Sequence, residues 1–301
     1  MPTEFLSIEP KDIETPVLHG YLLGAVAPRP VAFASTIDRE GNVNLSPFSF
    51  FNVFSANPPV MVFSPARRVR GNTTKHTLQN VYEVPEVVIN IADFSMVQQM
   101  SLASTEYDKG VNEFVKSGLT QVKSDLIGPP RVLESPASFE CKVTRVLPLG
   151  SEGGAGNLIM AEVVKLHIQK EVLDVKGKVD PFKLDAIARM GADYYCRANG
   201  DAIFEVPKPI RNKGVGVDQL PKDLKLSHVL TGNDLGMLGN IESLPNEEAI
   251  NNMRNNEQIK FILHDEGLPQ DRKVELIHGL AQGVLRMGDV EQALTMLLTI
   301  E

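Results

Sequence analysis

Apolar runs of strand length, each closed by proline, glycine or turn-forming residues, punctuate the chain up to Val206 and nearly vanish beyond it. The run 31–37 is rich in β-branched and small residues. Asp38-Arg39-Glu40-Gly41 then supplies turn chemistry before the pattern resumes over 42–45, which is a hairpin signal. Val60-Met61-Val62-Phe63, between prolines, and Val87-Val88-Ile89-Asn90-Ile91 read as buried strands. Phe139, Cys141 and Val143 alternate with Glu140, Lys142 and Thr144, so a strand with one buried and one wet face is expected there. The run 157–168 is its long partner. The glycine-rich 150–156 between them reads as a hairpin tip, because it lacks GxGxxG spacing and a Lys-Ser or Lys-Thr ending. These signals predict a mainly β part with short helices around it.

The spacing predicts short helices over 77–82, ended by Pro85, and over 95–103. Further short helices are expected over 112–116, closed by Gly118 as a C-cap, and over 181–190, capped by Asp180. Pro207, Pro209, Gly214, Gly216 and Pro221 then crowd a stretch without periodicity. Residues 246–263 and 271–298 are helical in pattern, the second stretch broken into a hairpin at Gly288-Asp289. The expected division is therefore a mainly β domain over 1–205, a linker over 206–224 and a small α-helical C-terminal region over 225–301. That region either packs on the β part or meets a partner.

Of the 301 residues, 43% are hydrophobic and 23% charged, which indicates a soluble globular protein. No run reaches the roughly 18 apolar residues of a membrane span, and the first residues lack the pattern of a signal peptide, so a cytoplasmic location is expected. Cys141 and Cys196 form no CxxC and no metal-type spacing with histidine, so no disulfide framework and no metal site is expected. A formal net charge of −8 without a long basic stripe argues against nucleic acid.

Two segments break these plain patterns. Arg67-Arg68-Val69-Arg70-Gly71-Asn72-Thr73-Thr74-Lys75-His76 concentrates cations and hydroxyls, and a helix beginning near Thr73 or Thr74 would add free N–H groups. It is either a solvated turn or an anion site, and in an acidic chain an anion needs such a local set of donors. Upstream, Asn44-Leu45-Ser46-Pro47-Phe48-Ser49-Phe50-Phe51-Asn52 mixes hydroxyls, amides and aromatics where a plain strand would alternate. A flat heterocycle with apolar faces and one polar edge suits it; so does an irregular strand, bulged at Pro47, whose aromatics fill the core.

In order, Ala27-Pro28-Arg29-Pro30-Val31-Ala32-Phe33-Ala34-Ser35-Thr36, Gly41, the 44–52 segment, Pro58-Pro59, Lys75-His76-Thr77 and Asn80 resemble the flavin reductase-like, FMN-binding split-barrel family of flavoredoxin type. Gly118-Leu119-Thr120, Glu134-Ser135-Pro136, Phe139-Glu140-Cys141, 161–167 and Ala188-Arg189-Met190-Gly191 extend the resemblance over about residues 10–200. It implies a Greek-key split β-barrel that forms a homodimer, binds FMN and takes hydride from NADH or NADPH. Position by position, Ser46, Pro47, Phe48, Ser49 and Asn52 would line the flavin ring and ribityl chain, and Lys75 and Thr77 would hold its phosphate. Arg29 and Ser64 are further candidates. Where the family commonly has Lys-Asp-Thr this chain has Lys75-His76-Thr77. His76 either strengthens phosphate binding when protonated or replaces an exposed aspartate; the second is favoured, since an unperturbed imidazole is mostly neutral at pH 7.

Hydride transfer between nicotinamide and flavin needs no catalytic triad, metal or carboxylate pair, and no such motif occurs here. His167, at the end of an expected strand, is the candidate to touch nicotinamide or reduced flavin, against a purely structural role. Arg189 is either a cation beside the flavin N1–O2 edge or a helix-end arginine that neutralises the last carbonyls. The reading is an FMN-dependent NAD(P)H:flavin oxidoreductase, with a protein as a possible electron acceptor. The alternative is a noncatalytic FMN-binding or electron-carrier module whose helical tail mediates a partner contact.

Overall fold

A computed structural model of the chain describes residues 3–206 and 213–300. The chain divides between Phe204 and Glu205 into two compact units.

The first unit opens with α1 (Thr15–Ala25), β1 (Arg29–Pro30), β2 (Ala32–Ile37), β3 (Val43–Phe48), β4 (Phe51–Ala56), β5 (Pro59–Phe63) and α2 (His76–Glu83). It continues through β6 (Glu86–Ile91), α3 (Val97–Leu102), α4 (Glu113–Ser117), β7 (Gln121–Val122), β8 (Arg131–Val132), β9 (Ala137–Pro148) and β10 (Asn157–Ile168). It closes with α5 (Pro181–Leu184), β11 (Ile187–Arg189) and β12 (Tyr195–Arg197). Seven strands form one antiparallel sheet in the order β3-β2-β6-β9-β10-β5-β4. Its two edge strands, β3 and β4, are consecutive in the chain and separated only by Ser49 and Phe50. So short a link holds the edges together and rolls the sheet into a barrel split along that seam, the Greek-key split β-barrel.

The barrel interior is built from Ala32, Ala34, Phe48, Phe63, Val87, Ile89, Cys141, Ile159 and Ala161, with Leu78 and Val81 of α2 packed in. A second cluster, including Phe33, Leu45, Met96, Met100 and Phe114, covers the opposite face of β2 and β3. Burying each large side chain of this kind contributes roughly 1.5–3 kcal/mol.

Several expectations need correction. Pro47 causes no bulge: β3 runs in unbroken register with β2, with Phe33 opposite Pro47. Leu45 N–H points away from the sheet to Glu113 Oε2, 2.9 Å distant, and Pro47, two residues on, would aim its missing N–H the same way. The expected wet face of β9 is not wholly wet, because Glu140 is completely buried. The helix expected over 181–190 stops after one turn. Asp180 caps it as anticipated, but Asp185 takes a left-handed conformation (φ 47°) and the chain continues as strand β11, so Arg189 is not a helix-end residue. Helix α2 begins at His76, with Lys75 as N-cap, rather than at Thr73 or Thr74. Gly118 does close α4, in the left-handed region at φ 67°.

The second unit consists of α6 (Lys222–Lys225), α7 (Gly232–Leu238), α8 (Glu247–Arg254), α9 (Glu257–His264), α10 (Gln270–Arg286) and α11 (Val290–Leu297). Thr231 and Asp234 form a capping box on α7, and Asp289 caps α11 after the turn at Gly288. Of the linker expected over 206–224, residues 207–212 lie outside the described residues, while Leu220 and Leu224 are buried in the same core as Leu238, Ile259, Ile277 and Leu294. No described helix in either unit is long and apolar enough to cross a membrane.

Candidate functional site

The basic run connects β5 to α2 and is pinned to the β9–β10 hairpin tip. Arg67 N donates to Ala155 O (2.8 Å), Gly154 N to Arg67 O (2.9 Å), and Asn72 Nδ2 to Ser151 O (2.9 Å). The tip needs its glycines for this approach. A Cβ on Gly153 would stand 2.8 Å from Val69 O, and one on Gly156 would stand 2.6 Å from Ser64 Oγ. The Arg67 guanidinium is spent within the loop, on Asn72 Oδ1 and O at 2.6 and 2.8 Å. Arg68 reaches Thr73 Oγ1 and Thr74 O, both at 3.0 Å, and pairs with Glu106.

These bonds deliver Lys75 and Thr77 to the start of α2. Thr77 is fully buried, and its hydroxyl accepts from the side-chain amide of Asn44 on β3 at 2.9 Å. Its own proton therefore remains to be donated. Among the described residues nothing accepts from the His76 and Thr77 N–H groups, the first of the helix, so they are left as unused donors. Burial, then Arg68, lowers the Lys75 pKa, and burial followed by Arg68, Lys109 and Lys75 lowers that of His76. Each cation nearby raises the cost of the others, and an arriving anion relieves it. His76 is half-buried rather than exposed, and its lowered pKa keeps it neutral near pH 7.

Asn44, Ser46 and Phe48 share one face of β3, by the two-residue period of a strand. Ser46 is half-buried, whereas Phe48 is buried against Phe63, ring centroids 5.5 Å apart, so Phe48 has only its backbone to offer a ligand. Pro47 faces the other way. Ser49 lies at the seam, where Arg29 Nε is 3.5 Å from its hydroxyl. Arg29 is itself buried, donating to Leu23 O, Val26 O and Met190 O, and so ties α1 to the end of β11. Its pKa is lowered by burial and then by Arg189, its strand partner. Arg189 stacks over Tyr195 at 4.7 Å. Asn52 is exposed on β4, with Oδ1 taken by Val53 N. Ser64 starts the basic loop; its N–H binds Phe50 O (2.9 Å) and its hydroxyl accepts from Asn157 N (3.0 Å).

Two groups of expected residues thus come together around β3, with Lys75, Thr77 and Ser46 on one side and Arg29, Ser49 and Arg189 at the seam. His167 joins neither. In the register Ser46–Ala34–Ile89–Phe139–Leu166, it is Leu166 that shares the face of Ser46, and His167 points to the other side. There its Nε2 lies 2.7 Å from Glu140 Oε1. Burial pulls the Glu140 pKa upward, but the N–H groups of Asp125 and Leu126, at 2.8 and 2.7 Å, together with His167, bring it below the ordinary value. Asp125, Glu140 and His167 offer ligand atoms within 4.8 Å of one another, the geometry of a metal cluster. Lys165 pairs with Asp125, and the backbone N–H groups of Asp125 and Leu126 each bind one oxygen of Glu140.

Asn44 was quoted in the sequence but given no role, although its position two residues before Ser46 was the available signal. The Arg68–Glu106 pair and the Glu140–His167 bond join segments remote in the chain and had none.

A family model described as a flavin reductase-like domain matches residues 24–182. An uncharacterized protein of Aquifex aeolicus is 35% identical over 196 residues, covering 65% of this chain and 97% of the relative. One from Halalkalibacterium halodurans is 32% identical over 192 residues, covering 63% and 91%. Among solved structures, nitrilotriacetate monooxygenase component B from Bacillus cereus superposes with a TM-score of 0.64 at 30% identity, covering 68% of this chain and all (100%) of that one. Flavoredoxin of Desulfovibrio vulgaris, at 18% identity, TM-score 0.52 and coverage of 62% and 93%, shares the fold.

Proposed function

The chain belongs to the flavin reductase-like family, and from that premise we propose that it is an FMN-dependent oxidoreductase that accepts hydride from NADH or NADPH and passes electrons to a further acceptor. The observation that carries this reading is the 2.9 Å bond from Asn44 to Thr77, which brings the segment suited to a flat ring up against the segment suited to a phosphate.

The residues fit FMN. The Thr77 hydroxyl proton, the His76 and Thr77 N–H groups and the Lys75 ammonium would hold the phosphate, each hydrogen bond to the charged group contributing about 1.5–3 kcal/mol. Ser46, the backbone at Pro47 and Phe48, Ser49 and Asn52 would line the ring and ribityl chain. Arg29 and Arg189 would set a positive potential at the seam, where it favours a reduced, anionic ring edge. When bound, FMN supplies the hydride-accepting atom. The chain binds, orients and shields it from water. His167 faces away from this cluster within one chain, toward Glu140.

A second copy completes the site in this reading. Helix α1 buries none of its residues, although Val17, Tyr21 and Leu22 are apolar, and Phe50, Val53 and Phe54 are exposed beside the seam. Apolar surface of this extent marks an interaction face, and a homodimer covers it. The carrier alternative is favoured by the second unit, which has its own core and lies outside the matched residues 24–182.

An absorption spectrum of the purified protein, followed by anaerobic titration with NADH and NADPH, tests the reading. Copurified or rebound FMN bleached by either nucleotide is the expected result. FMN that binds but is reduced only by another protein selects the carrier, and failure to bind FMN rejects both.

A further inference from the structure

The loop over 103–112, between α3 and α4, is bonded to the end of α3 and to itself: Ser104 N to Ser101 O (3.0 Å), Tyr107 N to Thr105 O (2.9 Å) and Val111 N to Asp108 O (3.2 Å). Its Glu106 side chain crosses to the guanidinium of Arg68. Arg68 is also the residue whose bonds to Thr73 and Thr74 shape the approach to Lys75. The charge of Glu106 reaches Lys75 and His76 as well, favouring their protonated forms where Arg68 disfavours them. Lys109, Gly110 and Val111 of the same loop wall a small cavity together with Asn44, His76 and Asn80. One loop therefore borders the start of α2 and supplies a carboxylate to the arginine beside it.

We propose that Glu106 is a built-in competitor at the phosphate end of the site: it holds Arg68 until the phosphate of a ligand displaces it. This rests on the FMN reading above. The exchange is anion for anion. A phosphate monoester carries about −1.5 to −2 charges at pH 7 and three strong acceptor oxygens, so it outbids a single carboxylate for the arginine. The Glu106 side chain is 63% exposed and leaves to water at little cost, whereas that of Arg68, 20% exposed, is never left unpaired. The consequence is selectivity. A ligand without a terminal phosphate, such as riboflavin, does not release Glu106, and FMN binding is looser than the cations alone would make it.

The test is FMN and inorganic phosphate titration of the full-length protein, wild type against Glu106→Gln, Arg68→Gln and the double variant. Glu106 is an exposed loop residue, so Glu106→Gln leaves folding intact. It is expected to tighten both ligands about two- to fivefold, the worth of an exposed ion pair. Arg68→Gln is expected to weaken them and to abolish any further effect of Glu106→Gln. Equal affinity in wild type and Glu106→Gln, or a gain that persists without Arg68, overturns the competitor while leaving the flavin site standing. Failure of FMN and phosphate to bind any of the four proteins overturns the site itself and the competitor with it.

Discussion

Asn44 on β3 donates its side-chain amide to the hydroxyl of Thr77 on α2 at 2.9 Å, both residues buried. The bond fixes the height of the helix N-terminus against the strand that lines the proposed ring site. Thr77→Val keeps the shape and removes the oxygen, leaving a buried amide unsatisfied. Denaturant unfolding is expected to show a loss of about 1–3 kcal/mol, and FMN titration a weaker complex.

Lys75→Ala removes the ammonium carried by the N-cap residue of α2. FMN affinity is expected to fall by about 1.5–3 kcal/mol, roughly ten- to a hundredfold, with stability little changed. Riboflavin, which lacks the phosphate, should bind wild type and variant equally. A matching loss for riboflavin would place Lys75 elsewhere in the site.

Gly153→Ala sets a Cβ 2.8 Å from the backbone oxygen of Val69, so the hairpin tip and the basic loop must part. Overpacking of this kind costs about 1–3 kcal/mol. FMN binding should weaken although residue 153 has no side-chain donor. Gly177→Ala is the control for space, since its position is open, though its φ of 74° adds local strain.

Glu140 and Glu113 are expected to bias stability in opposite directions with pH. The folded-state pKa of Glu140 is lowered: burial opposes this, but the bonds from Asp125, Leu126 and His167 outweigh it. Ionised Glu140 therefore adds stability above the ordinary carboxylate value, and that stability is lost as pH falls through the lower folded value. Glu113 is raised by burial, so its contribution is complete below the ordinary value and disappears as pH rises through the raised one. Unfolding curves from pH 3 to pH 8, in buffers chosen about these values, should show that Glu140→Gln lowers stability at neutral pH and flattens the acid limb. Glu113→Gln, which keeps an acceptor for Leu45 N, should maintain or raise stability at neutral pH. Identical pH profiles for both variants would refute the assignment.

Much of the barrel was legible in the residue order alone. The apolar runs that became β2, β5 and β6, the long β9–β10 pair, the Asp180 and Gly118 caps and the Gly288 break are all written in local periodicity and turn chemistry. These act over a few residues, so each can be read without knowing what lies opposite. The likeness of the 44–52 and 75–77 segments to a known pattern was legible for the same reason. Only the tertiary structure decided that Glu140 is buried, because the groups that satisfy it come from residues 125, 126 and 167. It alone turned His167 away from the β3 face, set Phe48 into the core and laid Glu106 on Arg68. A charged or polar side chain takes its place from whichever donors the fold carries to it, and those partners lie far along the chain, beyond the reach of any local pattern.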